Sequence, residues 1–299
     1  MRPFQLVGVP YTSMAEPGGI ANAISVFRDL GLAERLAELG VADAGDMGLT
    51  EPSGVRGPSR LLNEEALDHL VETTHELVHA IRDRGRIPLM VGGDCPVLLG
   101  GLAAIGPRTG AGLVMIDGHE DAWPPSLSET GEASDSELAI ALGLISELPP
   151  TLADWTPLVA GSRVALLGPR DSDEIAGRGA RSVAAQVAFF LDDRGITDRG
   201  PARAAAAALG AVGEGDFWLH IDLDALSSKE FPAADYLQPG GLSWLELEEL
   251  ALTVLAAPDL AGVSVAIYNP DRDPGHAVAR KVVDFVARIV EESSPRRGA

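Results

Sequence analysis

The chain has 299 residues, of which 46% are hydrophobic and 22% charged, enough for a large α/β core. Its formal net charge of −21 argues against nucleic acid and anionic membranes as partners, because both repel an acidic surface. A single cysteine, Cys95, excludes an internal disulfide framework and fits a reducing cytoplasm.

The opening MRPFQLVGVP lacks the long apolar stretch of a signal peptide, and no apolar run nears the roughly 18 residues of a membrane span. FQLVGVP predicts a first strand, followed by a helix over 20–39. The helix predicted over 61–84 sets Leu67, Leu70, Val71, Leu77, Val78 and Ile81 on one broad face. IPLMVGGD and GLVMIDGH read as strands, with a helix over 136–147 after them. RVALLGPR is the next strand, with a helix over 174–193, and PARAAAAALGA reads as a surface or packing helix. FWLHIDLDAL and GVSVAIYNP are the last two strands, each followed by a helix, over 243–256 and 276–292. The tail EESSPRRGA should fray from about residue 292. Strands without polar alternation imply a sheet buried on both faces. Their alternation with helices implies a parallel sheet with right-handed crossovers. No linker or repeat divides the chain, so residues 1–299 read as one domain.

Polar residues are concentrated where these strands end, and ligands of open α/β sheets bind beyond the carboxyl ends of the strands. The ends carry Asp94 and Cys95, then Asp117, His119 and Asp121, then Asp222 and Asp224, then Asn269 and Asp271. Extended chain places every second side chain on one side. IDGHEDAW can therefore present Asp117, His119 and Asp121 together, and LHIDLDAL can present Asp222 and Asp224. Buried together, such carboxylates repel and take up protons unless a cation neutralises them. Carboxylates with an imidazole suit Mn²⁺, with Zn, Fe or Co as alternatives. The number of carboxylates fits two ions better than one, and such a pair can hold a hydroxide nucleophile. The plain alternative is a solvated acidic loop after each strand.

These motifs resemble those of the arginase/ureohydrolase superfamily, which includes arginase, agmatinase and formiminoglutamase. GGDC is similar to the family's GGDH, DGHED to its DAHxD, and HIDLDAL to its SxDxDxxDP. GVPYTSMAEPGGIANAISVFRDLGLAERLAELG, GDM, LLGPRDSDE and GGLSW resemble further family segments in the same order. The resemblance implies a three-layer α/β/α sandwich around a mostly parallel sheet, often assembled into trimers or hexamers. It also implies two manganese ions and a small-molecule substrate. By the same resemblance Asp117 and Asp222 bridge the ions, Asp121 completes one shell, and His119 and Asp224 complete the other. Asp117, Asp121 and Asp222 then act through a hydroxide held between the ions, which attacks a planar amidine or guanidine carbon.

Three departures bear on the activity. Cys95 stands where the family has a metal-binding histidine; it is either a soft ligand or a small buried hydrophobe. Ser134 aligns with a loop histidine that assists proton transfer, and a serine cannot shuttle protons near neutral pH. Ile267 aligns with a guanidinium-binding glutamate, and an aliphatic side chain cannot pair a cation. Ile267, Asp171, Asp173 and Tyr236 form the expected substrate pocket, although the two aspartates could equally serve to cap a helix. The leading expectation is a dinuclear hydrolase of a non-peptide C–N bond in a linear amidine, guanidine or related amide, with arginine and agmatine as poor substrates. The alternative is a non-catalytic arginase-like binding or scaffold protein. A rival motif, HELVH at 75–79, matches the zinc-protease H-E-x-x-H, but Arg82 and Gly85 break its extended form. His220, two residues before Asp222, reads either as a support for the ligands or as a core histidine with its own partners.

Overall fold

The first apolar run forms strand β1 (Phe4–Gly8), every residue of it buried, in a computed structural model that describes residues 2–106 and 110–293. The helix expected over 20–39 is two short ones, α1 (Ala23–Asp29) and α2 (Leu32–Glu38). Gly31 separates them at φ 86°, a left-handed conformation that costs glycine little. Strand β2 (Ala42–Asp46) follows at a sheet edge. Its sequence, ADAGD, is half exposed and has no apolar alternation to announce it. Helix α3 (Glu64–Asp83) buries Leu67, Leu70, Val71, Val78 and Ile81 as its periodicity predicts, while Leu77 lies at the margin.

Strand β3 (Ile87–Val91) leads through GGDC into α4 (Val97–Ile105). All nine residues of α4 are buried, so it has no polar face and gives no amphipathic signal. Strand β4 (Ala111–Ile116) is likewise buried throughout. The next helices, α5 (Glu137–Ala141) and α6 (Pro150–Trp155), are short, so the helix expected over 136–147 covers only its first part. Strand β5 (Val159–Gly168) precedes a second correction. Residues 174–193 are not one helix: α7 (Ser172–Gly177) ends at GRGARS, and FFLD forms edge strand β6 (Phe189–Asp192). Two aromatic side chains there favour a pleated surface over a helix. Helices α8 (Asp193–Arg199) and α9 (Pro201–Val212) follow, α9 being the Ala-rich segment.

Strand β7 (Phe217–Asp222), α10 (Trp244–Leu255), β8 (Leu260–Ala266) and α11 (Ala277–Ser293) complete the order. α10 begins with a capping box between Ser243 and Glu246. α11 continues through residue 293, past the expected start of fraying, and residues 294–299 lie outside the described residues.

The eight strands form one sheet in the order β2-β1-β3-β8-β7-β4-β5-β6, and every pairing is parallel. Two apolar clusters lie on opposite faces. One joins α1, α2, α8, α9, α10 and α11 to the sheet; the other joins α3, α4, α5 and α6. This is a three-layer α/β/α sandwich. Trp218 of β7 packs so closely that a Cβ added to Gly262 would lie 2.0 Å from its ring.

Candidate metal centre

The order β3-β8-β7-β4 sets four strand ends side by side at the centre of the sheet. β4 ends in Asp117, whose backbone N–H bonds to Leu167 O at 2.9 Å. The turn beyond it depends on Gly118. Its N–H donates to Asp224 Oδ1 at 3.1 Å, and a Cβ there would meet Arg170 Nη1 at 2.3 Å. This close approach explains the glycine in DGHED. β7 ends in Asp222, whose carboxylate accepts the N–H of Asp224 at 2.6 Å and turns the chain into a 3₁₀ turn. Asp94, at the end of β3, accepts N–H groups from Ser13 at 2.8 Å and Cys95 at 3.0 Å, so it orders the GGDC turn.

Potential ligand atoms converge on Asp117 in three sets. Asp117, Asp121 and Asp222 offer atoms all within 4.8 Å of one another; so do Asp117, His119 and Asp224, and so do Cys95, Asp117 and His220. The five expected ligands and Cys95 therefore do meet. Cys95 is 1% exposed and packs in the apolar core, yet its thiol also donates to Asp222 Oδ2 at 2.8 Å. The two readings of Cys95 are thus compatible.

The charges at this centre are unevenly balanced. Burial alone would lower the His119 pKa, but Asp224, with Asp117 and Asp171, raises it to about 9. Burial works against the Asp224 charge too, yet His119, 3.0 Å away, and Arg170 hold its carboxyl below the ordinary value. Deeper in, burial pushes Asp117 up to about 7, with Asp224 adding to the effect. Burial and neighbouring carboxylates drive Asp121 and Asp222 well above the usual range. Asp117 Oδ2 is buried with no hydrogen-bond partner among the described residues. A divalent cation would neutralise this cluster and occupy that bare oxygen, so the donors fit a metal.

Glu137 was not expected here. It begins α5, is fully buried, and by strict geometry neither of its carboxylate oxygens has a hydrogen-bond partner among the described residues. Burial, with the charges of Asp117 and Asp94, holds its pKa well above the ordinary value, and Asp121 beside it works the other way as a hydrogen-bonding neighbour. In sequence, Glu137 reads as an acid favouring a helix N-terminus, which hides its position. Arg170 was also overlooked; its Nη2 donates to Asp224 O at 2.8 Å.

A cavity of about 160 Å³ opens over His119, Asp121, Asp222 and Asp224. Ser134, Asp171, Ile267 and the half-exposed Tyr236 line it. Asp173 does not; it is exposed in the first turn of α7, where a carboxylate suits the helix N-terminus. Asp171 precedes that helix without capping it through its side chain, and instead accepts the N–H of Glu120 at 3.2 Å. Ile267 has φ 63°, a strained conformation for a β-branched residue, held by its N–H bond to Gly93 O at 3.0 Å. The remaining walls mix apolar side chains, among them Met14, Ile20 and Trp123, with the acids Glu129, Glu132, Asp135, Glu174 and Asp235 and one arginine, Arg178. Asp235 is engaged by Arg272 at 2.5 Å and by Asn269 at 2.9 Å, and Asp271 is exposed outside the cavity.

The rival H-E-x-x-H helix has no such convergence. His75 and His79 contact each other through Nε2 at 3.2 Å, and His75 packs on Trp155. Neither belongs to a three-ligand group among the described residues.

The chain is 28% identical to the arginase of Brevibacillus brevis over 294 residues, spanning 95% of this chain and 96% of that one. Its fold is similar to that of Bacillus caldovelox arginase, with a TM-score of 0.82, 22% identity and 100% of both chains covered. It is also similar to that of formimidoylglutamase from Bacillus subtilis, with a TM-score of 0.72, 19% identity, and 98% of this chain and 87% of that one covered. A profile of the Arginase family matches residues 4–291, which takes in every strand end carrying a candidate ligand, and the chain therefore belongs to that family.

Proposed function

We propose that this protein is a metal-dependent hydrolase of a non-peptide C–N bond, with two divalent ions held around Asp117 and Asp222: Mn²⁺ or, because of the Cys95 thiol, Zn²⁺, Fe²⁺ or Co²⁺. The observation that carries this reading is the convergence of ligand atoms from two strand ends on Asp117, at the base of a cavity. Bound ions would supply an activated water and polarise the bond under attack. Asp117, Asp121, His119, Asp222 and Asp224 hold the ions. Glu137 is a further buried acid beside Asp117 and Asp121.

The cavity walls suggest the substrate. Ile267 gives no anion against which a guanidinium could lie, and desolvating that cation without a partner is costly. The group at the metal end is therefore uncharged or weakly basic: an amide, a formimino group or an N-hydroxyguanidine. The acids in the walls away from the base favour an amine or another N–H-rich group at the far end. Glu132 shows how crowded that charge is: burial, with Asp94, Asp135 and Asp235 nearby, raises its pKa to about 8. Ser134 can hydrogen-bond a substrate but not carry a proton near neutral pH.

A turnover screen over guanidino, ureido, formimino and amide compounds, with and without Mn²⁺, tests the proposal. Metal-dependent hydrolysis of the weakly basic compounds, with free arginine and agmatine poor, is the expected result. Efficient arginine hydrolysis would overturn the substrate reading. Full metal loading with no turnover across the screen would favour the binding-protein alternative.

A further inference from the structure

We propose that His220 is a metal ligand and that, with Cys95 and Asp117, it holds the deeper ion of the pair. This rests on the dinuclear reading above. His220 lies on β7, paired with Ser264 of β8 and two residues before Asp222, on the same side of the strand. It is fully buried. Its Nδ1 lies 2.6 Å from Ser264 Oγ, which also accepts the Trp218 indole N–H at 2.9 Å. Those two contacts fix the plane of the ring. The other ring nitrogen, Nε2, is buried with no hydrogen-bond partner among the described residues.

A core histidine packed for its own sake would satisfy both nitrogens, because burying an unmatched polar atom is unfavourable. Here the bare nitrogen shares a space with Cys95 Sγ and an Asp117 carboxylate oxygen, all within 4.8 Å of one another. With its proton on Nδ1, the ring donates to Ser264 and leaves the Nε2 lone pair for a cation. Metal-binding imidazoles are commonly oriented in this way, by donating their second nitrogen's proton to an oxygen. Asp117 belongs also to the other two ligand groups, so an ion at this position would share its carboxylate with the second ion.

The donor set gives the deeper position its own preference. Thiolate, imidazole and carboxylate together suit Zn²⁺ and Co²⁺ better than Mn²⁺, which favours oxygen. The other position, with Asp117, His119 and Asp224, lacks sulfur and is the one suited to Mn²⁺. The centre is then mixed, with a sulfur-bound ion on the floor and an oxygen-rich site at the mouth.

Co²⁺ is the probe. The full-length protein, stripped by a chelator and titrated with Co²⁺, should develop a thiolate-to-cobalt charge-transfer band that Cys95→Ser abolishes. His220→Asn should weaken one of two Co²⁺ ions by about 100-fold and leave the other unchanged, and Ser264→Ala should weaken the same ion by about 10-fold. A second readout needs no variant. Zn²⁺ loading of the ¹⁵N-histidine-labelled parent should move the His220 Nε2 resonance into the metal-bound range. Two ions bound with parental affinity in His220→Asn, or an unmoved Nε2 resonance in the parent, would overturn the assignment while leaving the dinuclear reading intact. A parent that binds no divalent ion would overturn both.

Discussion

At the mouth of the ligand cluster, Asp224 faces His119 at 3.0 Å and receives an Arg170 N–H on its backbone carbonyl, and its carboxyl stays below the ordinary pKa. On the floor, Asp117, Asp121, Asp222 and Glu137 lie together. Among the described residues no lysine or arginine forms an ion pair with any of them. Burial raises all four. The two regions contain the same kind of group a few ångströms apart. The mouth is neutralised by the chain's own cations. The floor sets four acids against the edge of that same His119, 3.9 Å from Asp117, and is left short of positive charge. Buried carboxylates of this second kind are unfavourable alone, and a strong requirement for a bound cation is the simplest physical consequence.

The largest test of this contrast is Asp117→Ala. Asp117 belongs to all three ligand groups, so its loss should take metal content from about two ions per chain to near zero after dialysis, with activity at background. Cys95→Ala should retain at least one ion per chain by comparison, since Cys95 belongs to one group. Equal metal content in the parent and both variants would remove the dinuclear model.

His119→Asn probes the mouth. Removing the internal cation leaves Asp224 buried and unbalanced, so the metal-free protein should lose about 2 kcal/mol in denaturant unfolding. No loss would mean that Arg170 or solvent balances Asp224 unaided, and the contrast between the regions would shrink.

Glu137→Gln probes the floor and should act in the opposite direction. Deleting one of several crowded carboxylates should stabilise the metal-free protein by about 1 kcal/mol and weaken metal binding by about 10-fold. Unfolding curves with and without chelator give both quantities. Destabilisation of the metal-free form would show that Glu137 is already compensated.

The smallest effect concerns the rim. The segment 121–137 is tied by Ser128 to Asp135 at 2.5 Å and by Leu62 N–H to Gly131 O at 2.7 Å. Its few regular backbone bonds should still let its amides exchange faster than those of β4, by about 10-fold or more. Protection equal to that of β4 without ligand would make the rim part of the rigid floor rather than a separate, mobile boundary.

The sequence alone determined the six inner strands, the amphipathic helix α3 and the candidate ligand residues of DGHED and HIDLDAL. Each of these is a local pattern: apolar runs report burial on both faces, and alternation reports a shared side. Local pattern fails where burial removes the contrast or exposure removes the signal. The fully buried α4 and the half-exposed edge strands β2 and β6 were illegible for these opposite reasons. Tertiary structure alone decided which strand ends meet. β8 and β7, late in the chain, insert between β3 and β4, and this order brings Cys95 to Asp222 and His220 to Asp117. It also decided that Glu137 faces the floor and Asp173 faces solvent. A carboxylate's sequence neighbours do not fix its electrostatic surroundings. The charges within a few ångströms of it do, and here sequence neighbours are joined by groups about a hundred residues away, as Asp224 is set against His119 and Asp117.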